Sequence, residues 1–332
     1  MTRTLVSEAS GAASSIAPAP AAGGASGGGP ASTPRPGSTR SRRRLLVPIL
    51  LQLAAMVGIG ALVYPSAADW FATLTHDSEI SGYTEQLAAL PDAERRAGLE
   101  AARAYNANLP QGVLRDPYTD SADAAAEDAA YRAYEEVLRV GDGDVIGELD
   151  YPRLGIGLPI YHGTADETIS KGVGHLYGSS LPIGGVSTHA ALTSHSGLVT
   201  ASLFTPLTGA RAGDEFQISV LGETHHYRVE SVETVLPDET EKLRIIPGED
   251  RVTLITCTPI GINSHRLLVH GVRVPGPEGE TGVRAIAGDG RSAGFPWWAV
   301  VFAGGSGATA VLLFAPPRGV GRRAARGAGR RA

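Results

Sequence analysis

Two apolar stretches bracket this chain, and each has the length of a helix that crosses a bilayer. The first runs from Leu45 to Tyr64, interrupted by Pro48 and Gln52, and the second from Trp297 to Ala315. Roughly 20 apolar residues suffice to span the hydrocarbon core. Arg40, Arg42, Arg43 and Arg44 precede the first stretch, and Arg318, Arg322, Arg323, Arg326, Arg330 and Arg331 follow the second. Arginine-rich flanks are retained on the cytoplasmic side, so both termini are read as inside and everything between as outside. Trp297 and Trp298 then fall at the outer headgroup level. The alternative for the first stretch is a cleavable signal peptide, with Ser66-Ala67-Ala68 as its processing site.

Charge follows the same division. The segment between the two flanked stretches holds 17 of the 29 basic and 33 of the 34 acidic residues, a net of −16 hidden behind an overall −5. A strongly acidic exported segment excludes nucleic acid as a partner, because phosphate binding needs a basic face.

The chain divides by composition. Residues 1–44, rich in Ala, Gly, Ser and Pro, read as a disordered cytoplasmic tail, 45–64 as a transmembrane helix, and 65–144 as an extracellular helical extension. Within the extension, helical patterns cover Asp77 to Leu90, Ala93 to Tyr105 and Ala122 to Val140. A proline-containing loop from Leu109 to Tyr118 separates the last two. Residues 145–275 carry β-branched runs cut by Gly, Pro and Asp: Val145 to Tyr151, Ile156 to Tyr161, Ala190 to Ser194, Glu215 to Leu221, His226 to Val235, Arg251 to Thr256 and Arg266 to Val274. Short helices are expected near Asp166 to Lys171 and Ser202 to Leu207. So many short strands in so short a stretch imply a closed or nearly closed barrel, making the chain mainly β. Residues 276–296 form a linker, 297–315 the second transmembrane helix, and 316–332 a basic cytoplasmic tail.

The chain has a single cysteine, Cys257, so an internal disulfide is excluded. The thiol is either inert core or a working nucleophile. It lies in Leu254-Ile255-Thr256-Cys257-Thr258-Pro259, at the end of an apolar strand. Arg266 opens the next strand, and a hairpin would bring both side chains out at one end of the barrel. A thiol nucleophile needs a proton partner. Among nine histidines, His195 is the leading candidate, because Thr193-Ser194-His195-Ser196-Gly197-Leu198 sets it just past a strand at a glycine turn. His162, His189 and His265 are the alternatives.

Taken together, several motifs resemble the sortase family. They are Gly147-Glu148-Leu149, Leu158-Pro159-Ile160-Tyr161-His162-Gly163, Gly172-Val173-Gly174-His175-Leu176, Gly178-Ser179-Ser180-Leu181-Pro182, Ser187-Thr188-His189, His195-Ser196-Gly197, and Thr256-Cys257-Thr258-Pro259 with Gly261, Asn263, His265 and Arg266. The resemblance spans about residues 145 to 275 and implies a closed sortase-type β-barrel with short helices. Two membrane segments and a helical extension make it similar to the class C, pilus-assembling group. Asp116-Pro117-Tyr118 looks like that group's lid, which an Asp116–arginine pair would hold closed while Tyr118 covers the thiol.

The resemblance implies that Cys257 attacks the Thr carbonyl of a Leu-Pro-x-Thr-Gly-like signal. His195 would act as general acid and then base, and Arg266 would steady the oxyanion. Thr256, His189 and Ser194 would line the substrate groove. The implied partners are pilin or surface-protein substrates with a C-terminal sorting signal, an amine acceptor (a pilin lysine or a peptidoglycan precursor), and the membrane. No cofactor or metal is implied. Ser196 departs from the family, where arginine often follows the histidine. Two further readings stand beside the pilin one: a housekeeping sortase that anchors surface proteins to peptidoglycan precursor, and a non-enzymatic exported binding module. The acidic run Pro237-Asp238-Glu239-Thr240-Glu241-Lys242 reads as a solvated loop, with calcium binding as the alternative.

Overall fold

Eight strands close into a barrel in the order β1-β2-β3-β4-β7-β8-β6-β5. The computed structural model describes residues 39–109, 114, 116–118, 129–276 and 293–315. The strands are β1 (Val145–Tyr151), β2 (Ile156–His162), β3 (Val173–His175), β4 (Thr188–Thr193), β5 (Glu215–Val220), β6 (Glu223–Val235), β7 (Asp250–Thr258) and β8 (His265–Val274). Most neighbours pair antiparallel, but β2–β3 and β4–β7 pair parallel. Each predicted strand is present, with ends shifted by up to three residues. β7 continues through the cysteine to Thr258. The strand absent from the sequence reading is β3, whose three residues are too few to display an alternation.

Alternation along β7 sorts its side chains into two clusters. Val252 and Leu254 enter a large core shared by most strands, whereas Ile255 joins a smaller one with Leu176, Ala191, Val235, Leu243 and Leu268. That second, smaller cluster is the floor on which the candidate site is built.

The helices are α1 (Thr39–Ala89), α2 (Asp92–Ala107), α3 (Ala129–Glu135), α4 (Asp166–Lys171) and α5 (Trp297–Phe314). α1 corrects the sequence reading. The expected membrane segment and the first helix of the extension are one continuous helix of 51 residues, running through Pro48 and Pro65. Proline removes a single i→i−4 bond at each position, and the helix continues past both. It also starts at Thr39, inside the segment read as tail; residues 1–38 lie outside the described ones, as do most of the linker and the tail after Ala315. His76, Ile80, Tyr83 and Leu87, spaced by four, three and four residues, form the buried stripe of α1. The Tyr83 hydroxyl ties this stripe to the barrel, donating to the Ile146 carbonyl (3.2 Å) and accepting from the Leu221 amide (2.9 Å). α3 ends at Glu135, short of the expected Val140, and Leu138 then takes a positive φ of 69°. Residues 122–128 of that expected helix lie outside the described ones. The expected helix near Ser202 is a 3-10 turn at Thr205–Gly209.

Among the described residues, two spans have the length and apolarity fit for a bilayer, within α1 and at α5. Gln52 joins them, donating to the Ser306 carbonyl and accepting from the Thr309 hydroxyl, both at 3.0 Å.

His175 is fully buried in the barrel wall, with Nδ1 against the Tyr134 hydroxyl and Nε2 against the Ser180 carbonyl, each at 2.8 Å. Burial lowers its pKa from 6.5 to about 4. The unfolded chain therefore takes up this proton first as pH falls, and stability drops from about pH 6.5 down to about pH 4. A shift of this size is worth about 3 kcal/mol, at 1.36 kcal/mol per pKa unit. Thermal unfolding followed across that window is expected to show a falling Tm, with the fall reduced in His175→Gln.

Candidate active site

Cys257 and Arg266 face each other across the β7–β8 hairpin. Directly opposed residues in an antiparallel pair share a face, so both side chains emerge beside the Ile255–Leu268 pair of the small apolar cluster. The expected hairpin geometry is therefore present. The Cys257 side chain is buried, and the reason is a third element.

Asp116, Pro117 and Tyr118 lie across this face. Asp116 accepts two hydrogen bonds from Arg266, from Nε at 2.8 Å and from Nη2 at 2.6 Å. This forked pair is itself buried, with side-chain exposures of 10% for Arg266 and 6% for Asp116. The Tyr118 ring lies 4.8 Å from the guanidinium carbon and 5.8 Å from the His195 ring. Its hydroxyl donates to the Ser194 carbonyl (2.7 Å) and accepts from Thr193 (2.7 Å). Leu114 and Tyr118 both pack on the small apolar cluster. Tyr118 is thus the side chain around which the thiol, the imidazole and the guanidinium gather.

The electrostatics follow from this cover. Burial pushes the Cys257 thiol above its ordinary pKa of 9.0; nearby Asp116 adds to the rise, while Arg266 and the Tyr118 hydroxyl oppose it. In this covered arrangement the sulfur is held as a thiol at neutral pH. Burial likewise raises the Tyr118 phenol.

His195 follows β4 and is half-buried. Its Nε2 lies 2.8 Å from Asp166 Oδ1, at the start of α4. Sequence reasoning missed Asp166; its 29-residue separation from His195 becomes a contact only when β3 is recognised, because that strand returns the chain from α4 to β4. Ser196, the departure from the family pattern, donates from Oγ to the Cys257 carbonyl at 2.7 Å. It therefore ties the histidine loop to the cysteine strand.

The three expected groove residues fare differently. His189 lies on the cluster side of β4, two residues from Ala191, with Nε2 against Thr253 Oγ1 (2.6 Å) and Nδ1 against the Arg244 carbonyl (3.0 Å). Thr253 passes the chain on to His270 Nδ1 at 2.8 Å. Thr256 and Ser194 are fully buried and their hydroxyls are spent inside the wall, Thr256 on the Ser194 carbonyl and Ser194 on the Gly172 carbonyl. They form the seat beneath Tyr118 and are not exposed groove residues. Of the alternative histidines, His162 packs edge-on against Tyr134 at 4.6 Å. His265 pairs with Thr258 on the strand position next to Arg266, so alternation turns it to the other face. The acidic loop after β6 is laced by ion pairs, Lys242 with Glu233 at 3.0 Å and Arg244 with Glu241 at 2.6 Å. Among the described residues, no group of three or more His, Cys, Asp or Glu side chains is arranged to hold a metal.

Comparison with known proteins gives one consistent result. Residues 149–274 match the sortase domain family. The chain is 30% identical over 129 residues to sortase A of Streptococcus agalactiae serotype III (strain NEM316), covering 38% of this chain and 51% of that protein. It thus spans about half the length of that curated relative. Among solved structures, sortase C-1 from Actinomyces oris is 46% identical with a TM-score of 0.52, covering 55% of this chain and 98% of that one. The pilus-related sortase C of Group B Streptococcus is 40% identical with a TM-score of 0.53, covering 58% and 95%.

Proposed function

The chain belongs to the sortase family, and from that premise we propose that it is a membrane-held cysteine transpeptidase that joins pilin subunits. The observation that carries this reading is the cross-strand pair Cys257–Arg266, with His195 reached through the ring of Tyr118.

In the proposed reaction, the Cys257 thiolate adds to the Thr carbonyl of a Leu-Pro-x-Thr-Gly-like signal. The Thr–Gly C–N bond breaks, and the departing Gly amine takes a proton from His195. Arg266, released from Asp116, donates to the oxyanion. A lysine amine of a second pilin, deprotonated by His195, then attacks the thioester; the C–S bond breaks and the thiolate returns. The thioester conserves the energy of the cleaved peptide bond, so no nucleotide is consumed outside the cell. Asp116, Pro117 and Tyr118 act as a lid. The two apolar helices anchor the chain with both termini inside and the barrel outside.

The pilin reading is favoured over peptidoglycan anchoring by the lid contacts and by higher identity to the class C structures (46% and 40%) than to the sortase A relative (30%). Mass spectrometry of products formed from a Leu-Pro-x-Thr-Gly peptide and either a lysine side-chain amine or an oligoglycine amine tests it. An isopeptide product with lysine is expected; transfer to oligoglycine alone would sink the pilin reading, and no thioester at all would sink the enzyme.

Asp166 is assigned as a positioning residue for His195. An exposed pair of this kind is worth at most about 1 kcal/mol, or roughly fivefold. Asp166→Asn is accordingly expected to lower kcat by up to about fivefold with KM for the peptide unchanged, and Asp166→Glu to recover part of that loss. A wild-type kcat in Asp166→Asn, or a loss that Asp166→Glu does not reduce, would leave the contact without a catalytic role.

A further inference from the structure

Four apolar side chains stand out in water beside the site. Leu198 and Val199, on the loop after His195, are 37% and 58% exposed; Ile260 and Ile262, on the loop after Cys257, are 47% and 71% exposed. The two loops touch: Gly197 takes a φ of +76°, and a Cβ there would meet Ile260 Cγ2 at 2.4 Å, so only glycine allows the approach. Both loops thus carry exposed apolar side chains at the same end of the barrel, the mouth where Cys257 and His195 lie.

Three observations fix where that mouth sits along α1. Asp69 Oδ1 accepts the Ser202 amide at 2.6 Å, and Ser202 is three residues from Val199. Asp69 lies only five residues past Tyr64, the end of the first apolar stretch, a rise of about 7.5 Å. At the same level Trp70 and Phe71 cluster with Trp298 of the second apolar helix, at ring separations of 6.2 and 5.8 Å, and Trp70 Nε1 donates to the Gly294 carbonyl at 3.0 Å. Aromatic rings on paired spanning helices mark the interfacial zone. That zone is about 5–7 Å deep on each side of the hydrocarbon. Three residues of chain reach at most about 10 Å.

We infer that the loops carrying Leu198, Val199, Ile260 and Ile262 dock on the outer leaflet of the same bilayer that holds α1 and α5, so that the active-site mouth faces the lipid surface. The inference rests on the anchored reading above and goes beyond it, since a tether alone leaves the barrel free to present any end. Docking of this kind buries a small apolar surface at the acyl–headgroup boundary. It places the thiol next to the membrane from which a lipid-held substrate emerges.

Depth-resolved quenching on the full-length chain tests this. In a Cys257→Ser background, which removes the lone native thiol, single cysteines are introduced as Val199→Cys, Ile262→Cys, Val186→Cys and Leu62→Cys and labelled with an environment-sensitive fluorophore. Val186 is 78% exposed and precedes β4, whereas the histidine loop follows it, so it marks the far end of the barrel. Each protein is reconstituted in phosphatidylcholine–phosphatidylglycerol vesicles with and without nitroxide-labelled lipid. The expected result is quenching at 199 and 262 at least about twofold greater than at 186, with strong quenching at 62. If 62 is quenched while 199 and 262 behave like 186, the docking is overturned and the anchoring stands. Should 62 itself escape quenching, anchoring falls and docking with it. A blue shift at 199 and 262 without lipid quenching would assign these loops to a second copy of the chain and overturn the lipid assignment.

Discussion

Cys257→Ala is expected to abolish transfer of a sorting-signal peptide, with a loss of at least about 10³-fold, because in the proposed reaction the acyl intermediate forms on its sulfur. The chain has no second thiol to substitute for it. His195→Ala is expected to cost about 10²–10⁴-fold, the usual range for general acid–base catalysis. Arg266→Ala should cost about 10²–10³-fold, the range for loss of an oxyanion donor. The three losses should not add, since in the proposed reaction the residues act as one unit. Intact-mass detection of the thioester separates them: none forms with Cys257→Ala, whereas a slow-forming adduct remains with the other two. Near wild-type turnover by any one variant removes that residue from the mechanism. The outcome also bears on the non-enzymatic binding module, which predicts that Cys257→Ala is silent.

The second large effect concerns the cover. Asp116→Ala is expected to raise the alkylation rate of Cys257 at neutral pH by about tenfold or more, since the thiolate is the reacting form and becomes accessible. In the covered state the carboxylate compensates a guanidinium that is only 10% exposed. Removing one member of such a pair costs about 3–5 kcal/mol if the other stays buried. Leu114 and Tyr118 pack only partly buried on the small cluster, so together they contribute on the order of 3 kcal/mol, given about 1.5–3 kcal/mol for a fully buried side chain. The two quantities are comparable, so the segment is free to lift and hydrate Arg266. Lifting it removes the burial that raises the Cys257 pKa and, with it, the Asp116 charge that acts in the same direction. The sign is then fixed: the rate-versus-pH curve for alkylation moves to lower pH. Tyr118→Ala should act in the same direction by opening access, while Tyr118→Phe, which keeps the ring over the site, should change the rate far less. Identical alkylation curves for wild type and Asp116→Ala would eliminate the lid.

Much of this arrangement was legible in the sequence because it is local. The Cys257–Arg266 juxtaposition follows from two apolar strands and a nine-residue spacing, and hairpin pairing needs no long-range information. His195 was marked by its place at a glycine turn after a strand. What stayed hidden depends on distant parts of the chain meeting. Asp166 reaches His195 through β3, whose three residues carry no period. The family resemblance implies that Thr256 and Ser194 line the groove; their hydroxyls turn to carbonyls within the barrel wall, a choice made by pairing between strands that lie far apart in the chain. The continuity of α1 was concealed by Pro65, which a sequence reading takes as a boundary and the helix passes through. Ser196 looked like a lost family feature, whereas its hydroxyl closes a bond to the cysteine strand that an arginine would not make in the same way.

The unbroken course of α1 makes it a mast with a fixed angular phase. Asp69, which holds the Ser202 amide, and Tyr83, which holds the Leu221 amide, are 14 residues apart, close to four full turns, so one side of the mast grips the barrel at two heights. One extra residue between them would rotate the grips about 100° out of alignment, and both could not then be kept. A whole added turn would restore the phase but put about 5 Å more between the two grips, so the barrel fixes this stretch of the mast in height as well as in angle.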